Sequence, residues 1–196
     1  MSSSNPNARS RILDAAWTLL EEGGSRVRMS DIAKAAGVSR QAVYLHFPSR
    51  AELLIATTRH IDEAKQVDAR LAPSRQAMGG RARLELFVEA WGNYIPEIYG
   101  VGRALMAMQD SDEEARKAWA DRMKALRHGC AAAVAAIAAD GELRADLTGE
   151  KATDLLWTLL SVRNWEQLTR EAGWSQAEYL TAVKDLAIRA LMKHAG

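Results

Sequence analysis

DIAKAAGVSRQAVYLHFPSR, residues 31–50, holds two short helical patterns on either side of a glycine and closes on a proline. Ile32, Ala33 and Ala36 recur at helical spacing over about residues 30–36, and Gly37 supplies the positive φ that a tight exit needs. Ser39 then caps a third helix that ends before Pro48, because a residue preceding proline disfavours the α region. Two short helices joined through such a turn make a helix-turn-helix, whose second helix can lie in the major groove of DNA.

Within that frame the side chains sort by reach. Ile32, Ala33, Ala36, Val38, Val43 and Phe47 face a small core and set the angle between the helices. Arg40, Gln41, Ala42, Tyr44, Leu45 and His46 lie at or near the open side of the third helix. Arginine and glutamine carry paired donors and acceptors that match guanine and adenine edges, and Ala42 suits a thymine methyl. Ser39, Tyr44, His46 and Arg50 suit phosphate oxygens, which position a protein without reading sequence. A helix-turn-helix can also be a plain packing unit, with Tyr44 and Phe47 as ordinary core aromatics. Against this, a packing unit has no use for Arg40, Gln41 and His46 on its open face.

Outside this stretch the chain reads as helix throughout. Its 196 residues are enough for one or two small domains, and 48% hydrophobic content with four prolines fits a globular helical chain. Ile12, Ala16, Leu19 and Leu20 make a first helix ended by Gly23-Gly24. Ser49-Arg50-Ala51-Glu52 reads as a capping box opening a long fourth helix with Leu54, Ile61, Ala64 and Leu71, stopped by a loop over residues 72–80. Further boxes start helices at Ser111 with Glu114 and at Ser175 with Glu178, and Thr148 caps another. Trp119, Met123, Leu126, Cys130, Val134 and Ile137 mark the apolar face of a seventh helix. An eighth, about 149–171, is apolar on two sides and needs burial on both. The expectation is an all-α chain of about nine helices, with residues 1–50 as a helix-turn-helix domain and 51–196 as a second helical domain.

Charge and cysteine usage narrow the classes. Residues 1–50 hold seven Lys/Arg against four acids, whereas the whole chain carries a net charge of only +1, so the basic lean is local and mild. The stretch MSSSNPNARS lacks the apolar core of a signal peptide, and CAAAVAAIAA, residues 130–139, is too short to span a bilayer. One cysteine excludes an intramolecular disulfide framework and fits a reducing compartment, so a cytoplasmic protein with no membrane partner is expected. His46, His60, His128 and His194 show no metal-ligand spacing, and no glycine-rich phosphate loop or nucleophile elbow is present. No metal, cofactor or catalytic group is therefore expected, and Cys130 reads as a buried structural residue.

MSDIAKAAGVSRQAVYLHFPSRAELL, residues 29–54, strongly resembles the DNA-binding segment of the TetR family of bacterial transcriptional regulators. Asp31, Ile32, Ala33, Ala36, Gly37, Val38, Ser39, Tyr44, His46, Phe47, Arg50, Glu52, Leu53 and Leu54 match its pattern as they stand. SVRNWEQLTREAGWS, residues 161–175, is similar to the penultimate-helix ending of some members. The resemblance implies phosphate contacts from Tyr44, His46 and Arg50 and an approach to bases by residues 39–42. Gln41-Ala42 departs from the small pair common in the family, so the operator preference does not carry over. Arg28 stands where threonine is frequent; it either replaces a neutral phosphate contact with a charged one or is solvated.

The resemblance also implies a C-terminal domain that dimerises and binds a small effector. Trp91, Tyr94, Met106, Trp119, Met123, Trp157 and Trp165 suit a mostly apolar ligand, with Ser161 and Asn164 as polar groups; the same residues also suit a packed core, and Asn164 a dimer contact. Leu156, Leu159, Leu180, Val183, Ala187 and Leu191 are the candidates for a twofold contact through the last two helices. The expected function is a dimeric repressor of a near-palindromic double-stranded DNA operator, released by the effector. The alternative, a small helical-bundle carrier or enzyme with a vestigial helix-turn-helix, predicts loss of Tyr44 or Arg50, and both are present.

Overall fold

The computed structural model describes residues 7–22 and 27–193, and they are helical almost throughout. In chain order these are α1 (Ala8–Glu21), α2 (Met29–Ala35), α3 (Arg40–His46), α4 (Arg50–Ala64), α5 (Val67–Gln76), α6 (Gly80–Met108), α7 (Glu113–Ala139), α8 (Gly149–Leu159), α9 (Val162–Glu166) and α10 (Gln176–Leu191). A five-residue π-helical segment, Gln167–Glu171, follows α9. Among the described residues the β-type pairing is a single bridge between Leu143 and Met192. The all-α expectation holds. No described helix is long and apolar enough to cross a membrane.

Many helix starts follow their local signals. Ser39 accepts from the Ala42 N–H at 3.1 Å, Ser49 from Glu52 and Thr148 from Lys151, both at 3.2 Å. At α10 the full box forms, with Ser175 capping Glu178 and the Glu178 carboxylate taking the Ser175 N–H at 2.8 Å. Gly37 has φ 64°, as the turn between α2 and α3 requires. The Gly23-Gly24 stop lies outside the described residues.

Four expectations are corrected. The long fourth helix breaks at Gln66, which adopts a left-handed φ of 54°, and α5 then runs through much of the expected loop with Pro73 inside it. Ser49 caps α4 alone, without the reciprocal Glu52 bond. Asp112, not Ser111, caps α7: its Oδ1 accepts from the Glu114 and Ala115 N–H groups at 3.0 and 3.2 Å. The expected eighth helix is broken at Leu160, where Ser161 caps α9 by accepting from the Asn164 N–H at 3.2 Å.

The chain divides into two compact units, Met1–Lys65 with Ile98–Arg122, and Gln66–Glu97 with Met123–Gly196. The first is built on Ile12, Ala16, Leu20, Ile32, Val43, Phe47, Leu53 and Leu54, joined by Val101 and Leu105 from α6 and Ala115 and Ala118 from α7. Burying such side chains contributes about 1.5–3 kcal/mol each, which holds the two short helices that could not stand alone.

The second unit packs helices at close range. A Cβ on Gly80 would come within 2.5 Å of the Ile137 backbone, and one on Gly129 within 2.8 Å of the Phe87 ring. Pro96 sits inside α6 and has no N–H for the Gly92 carbonyl one turn back. Gln176 replaces that donor: its Nε2 donates to the Gly92 carbonyl at 2.9 Å while its Oε1 accepts from Trp165 Nε1 at 2.9 Å.

Candidate nucleic-acid interface

The open side of the first unit is set by what α3 buries. Val43 and Phe47 are in the core, whereas Ser39, Arg40, Gln41, Tyr44, Leu45 and His46 are exposed and Ala42 is half-buried. The capped start of α3 fixes the helix in register, so these side chains project from a rigid element. The Arg40 guanidinium lies 5.6 Å from the Tyr44 ring centroid, a cation–π stack between neighbours one turn apart. Arg28 precedes α2 and is exposed, and its backbone N–H bonds the Asp31 carboxylate at 3.3 Å. Arg28, Arg40, Tyr44 and Arg50 line one open cleft of about 560 Å³ with Ser30, Ser111 and Asp112.

Arg50 differs from the other candidates. Its Nε donates to the Val27 carbonyl at 2.6 Å, Nη1 is ion-paired with Asp112 Oδ2, and Nη2 lies 3.6 Å from the Met108 sulfur. Its side chain is only 12% exposed, against 29% for Asp112. Glu114 strengthens this junction by accepting from the Ala51 N–H at 3.3 Å, so a side chain from the first turn of α7 caps the first turn of α4. Burial alone would raise the Asp112 carboxyl; the Ala115 N–H, the Arg50 charge and hydrogen bond, and the Glu114 N–H outweigh it and hold the group below its ordinary range. To meet a phosphate, Arg50 has to exchange Asp112 for it. An aspartate ahead of a helix is a local signal for the cap, but nothing in the sequence marks its pairing with Arg50, which stands 62 positions away.

The ligand-pocket candidates fall in different units. Met106 and Trp119 belong to the first, and Trp91, Tyr94, Met123, Trp157, Ser161, Asn164 and Trp165 to the second. In the second unit Trp91 donates to the Leu160 carbonyl at 2.8 Å and meets Tyr94 edge-on at 5.8 Å. Ser161 caps α9 and Asn164 Nδ2 donates to the Thr158 carbonyl at 2.6 Å, so both work at the α8–α9 break. Tyr179, absent from the sequence-based candidates, is fully buried, and its hydroxyl has no hydrogen-bond partner among the described residues. Burial pushes its phenol pKa up. Cys130 is fully buried, and burial pushes its thiol up to about 12, which removes the thiolate that reactivity needs.

Of the dimer candidates, Leu156, Val183, Ala187 and Leu191 are buried inside the unit, and Leu159 and Leu180 are half-buried. The large apolar side chains that α8 and α10 leave exposed are Leu155 and Leu186, at 42% and 49%.

Residues 12–57 match the model of the bacterial regulatory proteins of the tetR family. The whole chain also superposes on a TetR-family transcriptional regulator from Rhodococcus sp., with a TM-score of 0.74 and 25% identity, over 95% of this chain and 98% of that one. The N-terminal segment, residues 12–57, is similar to the tetR family of regulatory proteins, and the fold of the chain is like that of a TetR-family regulator. Another structural neighbour is NalD of Pseudomonas aeruginosa, at 25% identity and a TM-score of 0.69, covering 96% and 98% of the two chains. The nucleoid occlusion factor SlmA of Aliivibrio fischeri MJ11 is 41% identical over 61 residues, 30% of this chain. That match spans only 31% of the SlmA chain.

Proposed function

We propose that this protein is a DNA-binding transcriptional regulator acting as a dimeric repressor, with α3 as the helix that enters the major groove. The observation that carries the reading is the open face of α3. Two buried anchors, Val43 and Phe47, hold a helix whose other side chains offer a guanidinium, a carboxamide, a phenol and an imidazole to solvent. Gln41 and Arg40 supply the paired groups that distinguish bases, with Ala42 beside them. Ser39, Tyr44, His46 and Arg28 meet phosphates, and Arg50 joins them once it leaves Asp112. The division of labour follows the chain: residues 1–50 read DNA, and residues 51–196 dimerise and bind an effector. NalD, described as a repressor of a multidrug efflux pump, supports the repressor reading.

A twofold dimer through α8 and α10 places the exposed Leu155 and Leu186 at its centre, beside half-buried Leu159 and Leu180. Twofold symmetry then calls for a near-palindromic operator with half-sites about 34–36 Å apart, or a multiple of that. The effector is small and mostly apolar, and the unpartnered Tyr179 hydroxyl joins the aromatic side chains of the second unit as a group for it to bond. Release of DNA requires only that the effector prefer the unbound protein: a 100-fold preference amounts to roughly 2.7 kcal/mol of coupling.

The test is selection of duplexes from a random DNA pool by the full chain, followed by titration of the enriched duplex against small apolar compounds. An enriched near-palindrome whose affinity falls when a compound binds supports the reading. A pool that shows no enrichment over successive rounds overturns it.

A further inference from the structure

Helix α3 turns about 100° per residue, so the line opposite its buried side can be located from its anchors. Val43 and Phe47 define the buried side. Gln41 and Leu45 both stand about 160° from Val43, one turn apart, and they form the outermost line of the helix. Arg40 with Tyr44 makes one flank, tied by their stack, and Ala42 with His46 makes the other. The residue aimed furthest from the core is therefore a leucine, 79% exposed.

A single exposed leucine on an arbitrary surface needs no explanation. On the leading line of a groove-entering helix it does. Most of the major-groove edge of DNA consists of hydrogen-bond donors and acceptors, and a leucine pressed on these removes their water and returns nothing. The apolar feature of that edge is the C5-methyl group of thymine. We infer that Leu45 reads a thymine methyl in the floor of the major groove, one or two base steps from the base met by Gln41. The spacing follows from geometry: one helical turn advances about 5.4 Å, and base pairs are stacked about 3.4 Å apart. Gln41 supplies a polar discrimination and Leu45 an apolar one, with the cationic and aromatic flanks left for the groove walls. This inference rests on the regulator reading and adds to it the chemistry of one operator position.

The test replaces each thymine of the selected duplex in turn with deoxyuridine, which removes one methyl group and leaves the pairing intact. In the wild-type chain, one replacement per half-site weakens binding about three- to fivefold, the effect of exposing one buried methyl. Leu45→Ala, at an exposed position, binds the thymine and deoxyuridine forms of that duplex alike. The inference is overturned if no replacement affects the wild type, if Leu45→Ala keeps the full penalty, or if the selected half-site has no thymine within two steps of the base that Gln41→Ala ceases to discriminate. A pool with no enriched duplex removes the regulator reading and the inference together; an enriched duplex indifferent to the methyl group removes the inference alone.

Discussion

Asp112→Asn isolates the charge at the junction of α4 and α7. The wild-type side chain performs two tasks with two oxygens: Oδ1 caps α7, and Oδ2 pairs with Arg50. Asparagine keeps a carbonyl for the cap and removes the anion. Arg50, 12% exposed, is then left without its counter-charge. Exposed ion pairs contribute about 0–1 kcal/mol, and removing one partner of a fully buried pair costs about 3–5 kcal/mol. With Asp112 at 29% exposure, solvent screens part of the interaction, and the expected loss is about 1–2 kcal/mol. The assay is urea unfolding at fixed protomer concentration, where this corresponds to a midpoint lower by roughly 0.5–1 M for a slope of about 2 kcal/mol/M. The folded carboxyl lies below its ordinary value, so its contribution is complete above the unfolded pKa of about 3.9 and is lost as pH falls through the lower folded value. The gap between wild type and variant is therefore full at pH 7 and closes only below about pH 4. Equal midpoints at pH 7, or a gap that persists unchanged at pH 3, would show that the Asp112 charge does not hold this junction.

Gln176→Ala removes the donor to the Gly92 carbonyl and the acceptor for Trp165, and is expected to lower stability by about 1–3 kcal/mol with a change in tryptophan fluorescence, read by thermal unfolding and emission spectra. Leu155→Glu combined with Leu186→Glu leaves the monomer's core untouched and abolishes the dimer in sedimentation at micromolar concentration; a dimer unaffected by both places the interface elsewhere. Gln41→Ala relaxes base preference by about 1–3 kcal/mol at one position per half-site, whereas Arg28→Ala weakens all duplexes evenly and reduces the salt slope by about 0.9 for each phosphate no longer neutralised, both measured by binding titrations at several salt concentrations.

Features that depend on neighbours three or four positions away are legible in the amino-acid sequence alone. Ser39, Ser49, Thr148 and Ser175 each cap a helix by reaching a backbone N–H three residues on, and Gly37 turns the chain because it lacks a Cβ. The apolar period places Val43 and Phe47 inside, which by the geometry of a helix puts Gln41 and Leu45 outermost, with Arg40, Tyr44 and His46 on the flanks. Packing settles the points where local preference is nearly neutral and a distant partner tips the balance. Helix α8 ends at Leu159 because Asn164 bonds the Thr158 carbonyl and Trp165 reaches Gln176, neither of which helical periodicity reveals. Leu156, Val183, Ala187 and Leu191 carry the spacing of an interface face, and packing within the unit buries them before a partner could. Arg50 sits in a motif position suited to a phosphate, and only the fold, which brings Asp112 beside it, gives it an internal counter-charge. A lone charge selects its partner by proximity and burial, and proximity across 62 residues is a property of packing, not of sequence order.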